Sequence, residues 1–131
     1  MVNPFEKFLT KEDLLQRAVV NYIRLQYPKA FMCHIPNEGK RTKFEQFKAK
    51  VLGIVSGMPD VMIFNPGYQK TDGIFDGIKF MGLAIELKIK PNKPSPAQIS
   101  VLNNLKVHNW STHVCYSFDE VKAIVHDYFR S

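Results

Sequence analysis

Two stretches decide the fold: Gly57-Met58-Pro59-Asp60-Val61-Met62-Ile63-Phe64, and further on Ala84-Ile85-Glu86-Leu87-Lys88. Asp60 stands at the head of an apolar run, after a turn constrained by Gly57 and Pro59. Glu86 lies inside the second run, with Lys88 two residues on. Side chains of a strand alternate faces, so Glu86 and Lys88 share one face and Ile85, Leu87 and Ile89 the other. If the two runs are neighbouring strands, the Asp60 and Glu86 carboxylates converge on one hard divalent cation, with Lys88 beside it. That chemistry suits hydrolysis of a phosphodiester, where a cation polarises the phosphoryl oxygen and activates water. A charged pair at i and i+2 is also the mark of a solvated strand face or an edge guard. The apolar opposite face and the entry through Gly82 weigh towards the site.

Outward from these runs, helix and strand signals are regular. Thr10 can cap a first helix with Asp13 three residues on, and Leu14, Leu15, Ala18, Val19, Tyr22, Ile23 and Leu25 keep helical spacing up to Pro28. Residues 30–35 read as a short strand ended by Pro36-Asn37-Glu38-Gly39. The basic stretch from Lys40 to Lys50 has a weak helical period through Phe44, Phe47 and Val51. Strands are expected over 60–64, 81–89 and 111–116, and the glycine-bearing segment 66–80 reads as a loop or an irregular hairpin. Ser95-Pro96-Ala97-Gln98 opens a helix with a capping box and proline at its first position. Ser117-Phe118-Asp119-Glu120 reads as another capping box, opening a last helix to about Phe129. The order predicts an α/β fold, a mixed β-sheet flanked by helices, as one domain over residues 1–131.

The net charge of +6 and pI near 9.4 favour a polyanionic partner. Cys33 and Cys115 lack paired spacing and read as free, buried thiols in a reducing compartment. No run approaches the ~18 apolar residues of a membrane span, and no signal-peptide core is seen at the N-terminus. The expected location is cytoplasmic, with no membrane partner. His34, His108, His113 and His126 are scattered, without zinc-ligand spacing.

Gly57-Met58-Pro59-Asp60, Glu86-Leu87-Lys88 and Gln98 in the next helix resemble the PD-(D/E)XK nuclease pattern in its VRR-NUC version. Glu12 and Gln16 in the first helix and Pro36-Asn37-Glu38-Gly39 fit that family too, and the resemblance runs from about Glu12 to the end. It implies a restriction-endonuclease-like α/β core, Mg²⁺ or Mn²⁺ dependence and structure-selective cutting. Stand-alone domains of this type resemble phage-encoded and bacterial nucleases that act as dimers on branched DNA, such as four-way (Holliday) junctions. The implied setting is a bacterial or phage-infected cell.

Asp60 and Glu86 are the expected metal ligands, with the backbone carbonyl of Leu87 a third candidate. Lys88 would orient the nucleophile and stabilise charge building on phosphorus. Glu12 has two readings: complementing the helix macrodipole, or reaching the metal or its water shell as the resemblance implies. Asp13 and Glu6 are the alternatives to it. Gln98 likewise either completes a capping box or positions phosphate or water. Gln16 is read as structural or substrate-facing, and His34 as lying near a substrate-facing loop.

For DNA phosphates the candidates are Lys40, Arg41 and Lys43, with Lys90 and Lys93 as a second cluster beside the acids. Phe5, Phe8 and Leu9 are core or dimer contacts. A non-catalytic DNA-binding module would use the same cations but gains nothing from two acids facing a polyanion. A flap or single-strand nuclease acting as a monomer keeps the same chemistry. Resolving a junction needs two coordinated cuts, which makes a homodimer the natural expectation.

Overall fold

The computed structural model describes residues 3–36 and 41–130. After a short 3₁₀ turn at Glu6–Phe8, the elements are α1 (Lys11–Gln26), β1 (Met32–Cys33), α2 (Lys43–Val51), β2 (Val61–Ile63), β3 (Gly67–Thr71), β4 (Ile74–Phe80), β5 (Gly82–Leu87), α3 (Pro96–Val107), β6 (Trp110–Cys115) and α4 (Phe118–Phe129). The main sheet runs β1-β2-β5-β6. β2 pairs antiparallel with both β1 and β5, and β5 pairs parallel with β6 through the α3 crossover. The sheet is mixed and the class is α/β, as the order of elements predicts.

Alternation along β5 divides the molecule. Leu83, Ile85 and Leu87 join Val61, Ile63 and Cys115 of the sheet with Val19, Ile23, Val121 and Val125 of α1 and α4 in one buried core. The opposite face carries Glu86, which α3 reaches through Gln98, so helices cover both faces. Gly82 is required where it stands: a Cβ there would lie 2.4 Å from the Trp110 ring. Helix starts follow the cap chemistry. Thr10–Asp13, Thr42–Glu45 and Ser95–Gln98 form reciprocal capping boxes.

Three expectations need correction, and one open alternative is decided. The strand expected over 30–35 is only Met32–Cys33, because its ladder to the short β2 holds just the pairs Met32↔Ile63 and Cys33↔Met62. Of the two readings of segment 66–80 the irregular hairpin is the one formed: β3–β4 pair with register shifts and are turned by Asp72 and Gly73, both at positive φ (53° and 79°). Asp-Gly between strands is a direct hairpin signal that Gly67 and Gly77 obscured. At α4, Ser117 caps the Glu120 N–H, but the Glu120 carboxylate accepts from the Tyr116 N–H instead, so the box is half made. Cys115 is buried but Cys33 is only half-buried; both are free, and burial pushes the Cys115 thiol up to about 12. Among the described residues, no helix is long and apolar enough to cross a membrane.

Candidate metal centre

The antiparallel register sets Val61 opposite Ile85, which brings Asp60, at the bend before β2, beside the Glu86–Leu87 end of β5. Asp60 is locked by three elements. Its Oδ2 accepts from the Leu87 N–H at 2.7 Å. Its backbone carbonyl accepts from Gln16 Nε2 of α1 at 3.2 Å and lies 2.7 Å from Nδ1 of His34, just after β1. Since a carbonyl can only accept, that geometry puts a proton on His34 Nδ1. The turn before Asp60 depends on Gly57, whose φ is +87° and whose Cβ would meet the Ala97 carbonyl carbon at 2.6 Å. The glycine therefore lets the Asp60 loop lie directly on the first turn of α3.

Glu86 is 1% exposed and Asp60 7%. Glu86 Oε1 accepts from Gln98 Nε2 at 3.1 Å and lies 4.0 Å from Lys88 Nζ. Gln98 meanwhile gives its Oε1 to the Ser95 N–H at 2.8 Å, so one amide both caps α3 and holds Glu86. The two readings of Gln98 are compatible, because the cap uses its oxygen and the carboxylate its nitrogen.

Glu12, in the first turn of α1, completes the group: oxygens of Glu12, Asp60 and Glu86 lie within 4.8 Å of one another. The alternatives are engaged elsewhere, Asp13 in the Thr10 capping box and Glu6 on Arg17 at 2.7 Å. Burial first, then the neighbouring Asp60, raises the Glu86 carboxyl well above its ordinary range; Lys88 pulls it down and Glu12 pushes it up. Among the described residues, Glu86 Oε2 is buried with no hydrogen-bond partner. A buried carboxylate oxygen left unpaired, among three acids on three elements, is costly unless a cation meets it. These residues fit a hard divalent ion.

The remaining candidates are dispersed. Leu87 contributes its N–H to Asp60. Lys90 and Lys93 are exposed in the segment after β5, where Lys90 Nζ stands 5.9 Å over the Tyr116 ring. Arg41 and Lys43 sit at the start of α2, and Lys40 lies outside the described residues, as do Asn37, Glu38 and Gly39. Phe5 and Phe8 are exposed, which removes them from the core. Sequence reasoning reads Gln16 as structural or substrate-facing and His34 as near a substrate-facing loop, and the structure puts both on the Asp60 carbonyl. No spacing signal could have paired them, since they come from different elements.

A mixed sheet bringing two buried acids and a lysine together, with helices on both faces, is a PD-(D/E)XK-like fold. The VRR-NUC domain model matches residues 5–119, and the chain belongs to that family. One solved structure, a VRR_NUC domain protein, is 23% identical with a TM-score of 0.72, covering 93% of this chain and 90% of its own. Another, a VRR_NUC domain, is 20% identical with a TM-score of 0.55, covering 92% and 100%. No curated protein matches the chain. Family membership implies a nuclease-type function with DNA as substrate, and the acidic cluster could hold a metal.

Proposed function

We propose that the chain is one nuclease domain, a Mg²⁺- or Mn²⁺-dependent endodeoxyribonuclease selective for branched DNA such as four-way junctions and working as a homodimer. The observation that carries the chemistry is the convergence of carboxylate oxygens of Glu12, Asp60 and Glu86 within 4.8 Å of one another, with Lys88 beside Glu86. Asp60 and Glu86 would hold the cation, with the Leu87 carbonyl and Glu12 completing its surroundings. A bound divalent ion supplies Lewis-acid charge and lowers the pKa of water.

The chain's own groups do the rest. Lys88, tethered to Glu86, places an ammonium where it orients the attacking water and offsets charge developing on phosphorus. Gln98 keeps the Glu86 carboxylate from rotating away while its other end stays bound to the cap. Gln16 and His34 hold the Asp60 backbone, so that carboxylate needs little reorganisation. Arg41, Lys43, Lys90 and Lys93, with Lys40, supply sequence-independent phosphate contacts. The two free thiols suit a reducing cytoplasm, bacterial or phage-infected.

The dimer reading is supported by α2. Phe44, Phe47 and Val51 are 71%, 60% and 67% exposed, and Leu52, Ile54 and Val55 extend the same apolar surface. A patch of that kind marks a protein interface, and a two-fold pair supplies the two cuts a junction needs.

The test is cleavage of labelled four-way junction, flap and linear duplex DNA with Mg²⁺, Mn²⁺ or chelator, using wild type and Asp60→Asn. Metal-dependent cutting that favours the branched substrates and falls at least about 10²–10³-fold in the variant is expected. Intact DNA binding without any metal-dependent cutting would replace the nuclease with a binding module.

A further inference from the structure

Aromatic and cationic side chains collect at a second place, away from the carboxylates. Asp60 precedes β2 and Asn65-Pro66 follow it, a separation of about 16 Å along an extended chain. At this far end, Tyr27, Tyr68, Phe75, Tyr128 and Phe129 wall an open cavity of about 460 Å³. The walls are built, not incidental. Tyr27 stacks on Phe129 with ring centroids 4.7 Å apart, and Tyr68 meets Phe75 edge to face at 5.5 Å. Tyr128 is pinned by its hydroxyl, which donates to the Asn65 carbonyl at 2.6 Å.

Tyr68, Tyr128 and Arg130 also line an adjoining cleft of about 680 Å³, whose other cations are Lys70 and Lys79. Lys70 Nζ stands 4.8 Å over the Phe75 ring and Lys79 Nζ 5.6 Å over Phe80, so ammonium groups border the aromatic walls. Ser111 and His113 line the same cleft, the hydroxyl and Nε2 2.8 Å apart. Lys29 lines the aromatic cavity, and Asp127, paired with Arg130 at 3.3 Å, is the one acid lining either space among the described residues.

An apolar side chain of a protein partner would have no use for cations at this border. A nucleotide uses both halves, since every base has a face that stacks on aromatic rings and every phosphate carries negative charge. We propose that this groove holds an unpaired nucleotide of a single-stranded DNA arm, with its base on the aromatic walls and its phosphates towards Lys70, Lys79 and Arg130. Resting on the nuclease reading, this gives selectivity for flapped, as against fully paired, DNA a physical source: a strand that has left the duplex is gripped at one end of β2 while the backbone is cut at the other.

The test is fluorescence anisotropy in chelator, with a labelled oligothymidylate and a blunt duplex, on wild type, Tyr68→Ala, Phe75→Leu and Lys79→Ala. Circular dichroism accompanies each variant. Tyr68→Ala is expected to weaken oligothymidylate binding about tenfold, from the loss of one stacking surface, with Phe75→Leu acting in the same direction and duplex affinity little changed. Lys79→Ala should reduce the salt slope of single-strand binding by about one. Photocrosslinking of iodouracil-bearing single strands should map to Tyr68 or Phe75. Unchanged oligothymidylate affinity in the aromatic variants, or crosslinks confined to other surfaces, would overturn the groove. So would dissociation of a dimer by Tyr68→Ala without effect on DNA, which would make a second copy the occupant. Chelator separates the two readings. Tyr68-dependent single-strand binding by a protein that never cuts would end the nuclease reading and leave the groove, whereas metal-dependent cutting with no aromatic dependence of binding would do the reverse.

Discussion

The carboxylate cluster and α2 lie close together in the chain and are finished to different degrees. At the cluster, side chains and backbone from several elements interlock: Gln16, His34 and the Leu87 N–H hold Asp60, while Gln98 and Lys88 hold Glu86. α2 is equally well made as a local object, with Thr42 and Glu45 capping each other, but Ala49 is its one buried residue. Phe44, Phe47 and Val51 meet water. A helix needs only its own hydrogen bonds and a cap to start, whereas a helix that is to stay put needs an apolar surface to lie on. The cluster finds its surroundings within one chain; the apolar side of α2 does not.

Six substitutions, in four tests, would break or sharpen this contrast. Gly57→Ala should have the largest effect, because it forces a Cβ onto the backbone of α3 and strains a left-handed residue. A loss of about 3 kcal/mol or more in chemical denaturation, together with cleavage, is expected; an unchanged denaturation curve would mean that the Asp60 loop tolerates displacement. Glu86→Gln should abolish cleavage yet stabilise the metal-free protein by about 1–3 kcal/mol at neutral pH, by replacing a carboxyl that must take up a proton to be buried with an amide that needs none. The sign with pH follows from the raised carboxyl. The folded state holds that proton while the unfolded chain releases it, so metal-free wild type loses stability as pH rises above the ordinary carboxyl range. The advantage of the variant should vanish in acid and grow towards neutrality, as thermal melts across pH would record.

Smaller effects separate the two regions. Phe44→Ser with Phe47→Ser should weaken self-association at least about tenfold in sedimentation analysis while leaving the monomer's melting intact. A large fall in monomer stability would show that α2 packs within its own chain. Gln98→Leu and Ser117→Ala should each cost about 1 kcal/mol as lost caps, but only the former should slow cleavage, since only Gln98 also holds Glu86. Equal effects on cleavage would reduce Gln98 to a cap.

Much of this was legible in local chemistry. The Thr10–Asp13 and Ser95–Gln98 boxes mark the starts of α1 and α3 because capping uses residues three apart and needs nothing distant. Alternation in β5 separates Glu86 from Leu83, Ile85 and Leu87 because strand periodicity is a property of the backbone. Elsewhere local signals competed. Gly67 and Gly77 masked the Asp72-Gly73 turn, and the shortness of β1 depends on where its ladder to β2 ends rather than on its own composition.

By itself the sequence determined the helices, the strands β2, β5 and β6 to within a residue or two, the side of β5 on which the acid would stand, and the family to which the chain belongs. Those depend on nearest neighbours, turn chemistry and residue type. Only the tertiary structure decided that Glu12 joins Asp60 and Glu86, that His34 and Gln16 share one carbonyl, and that Gly57 exists to let a loop touch α3. It also decided that Tyr27, Tyr68, Phe75 and Phe129 form one wall system. Each of these is a meeting of residues far apart in the chain, set by strand register and helix packing, and no spacing along the sequence encodes such a meeting.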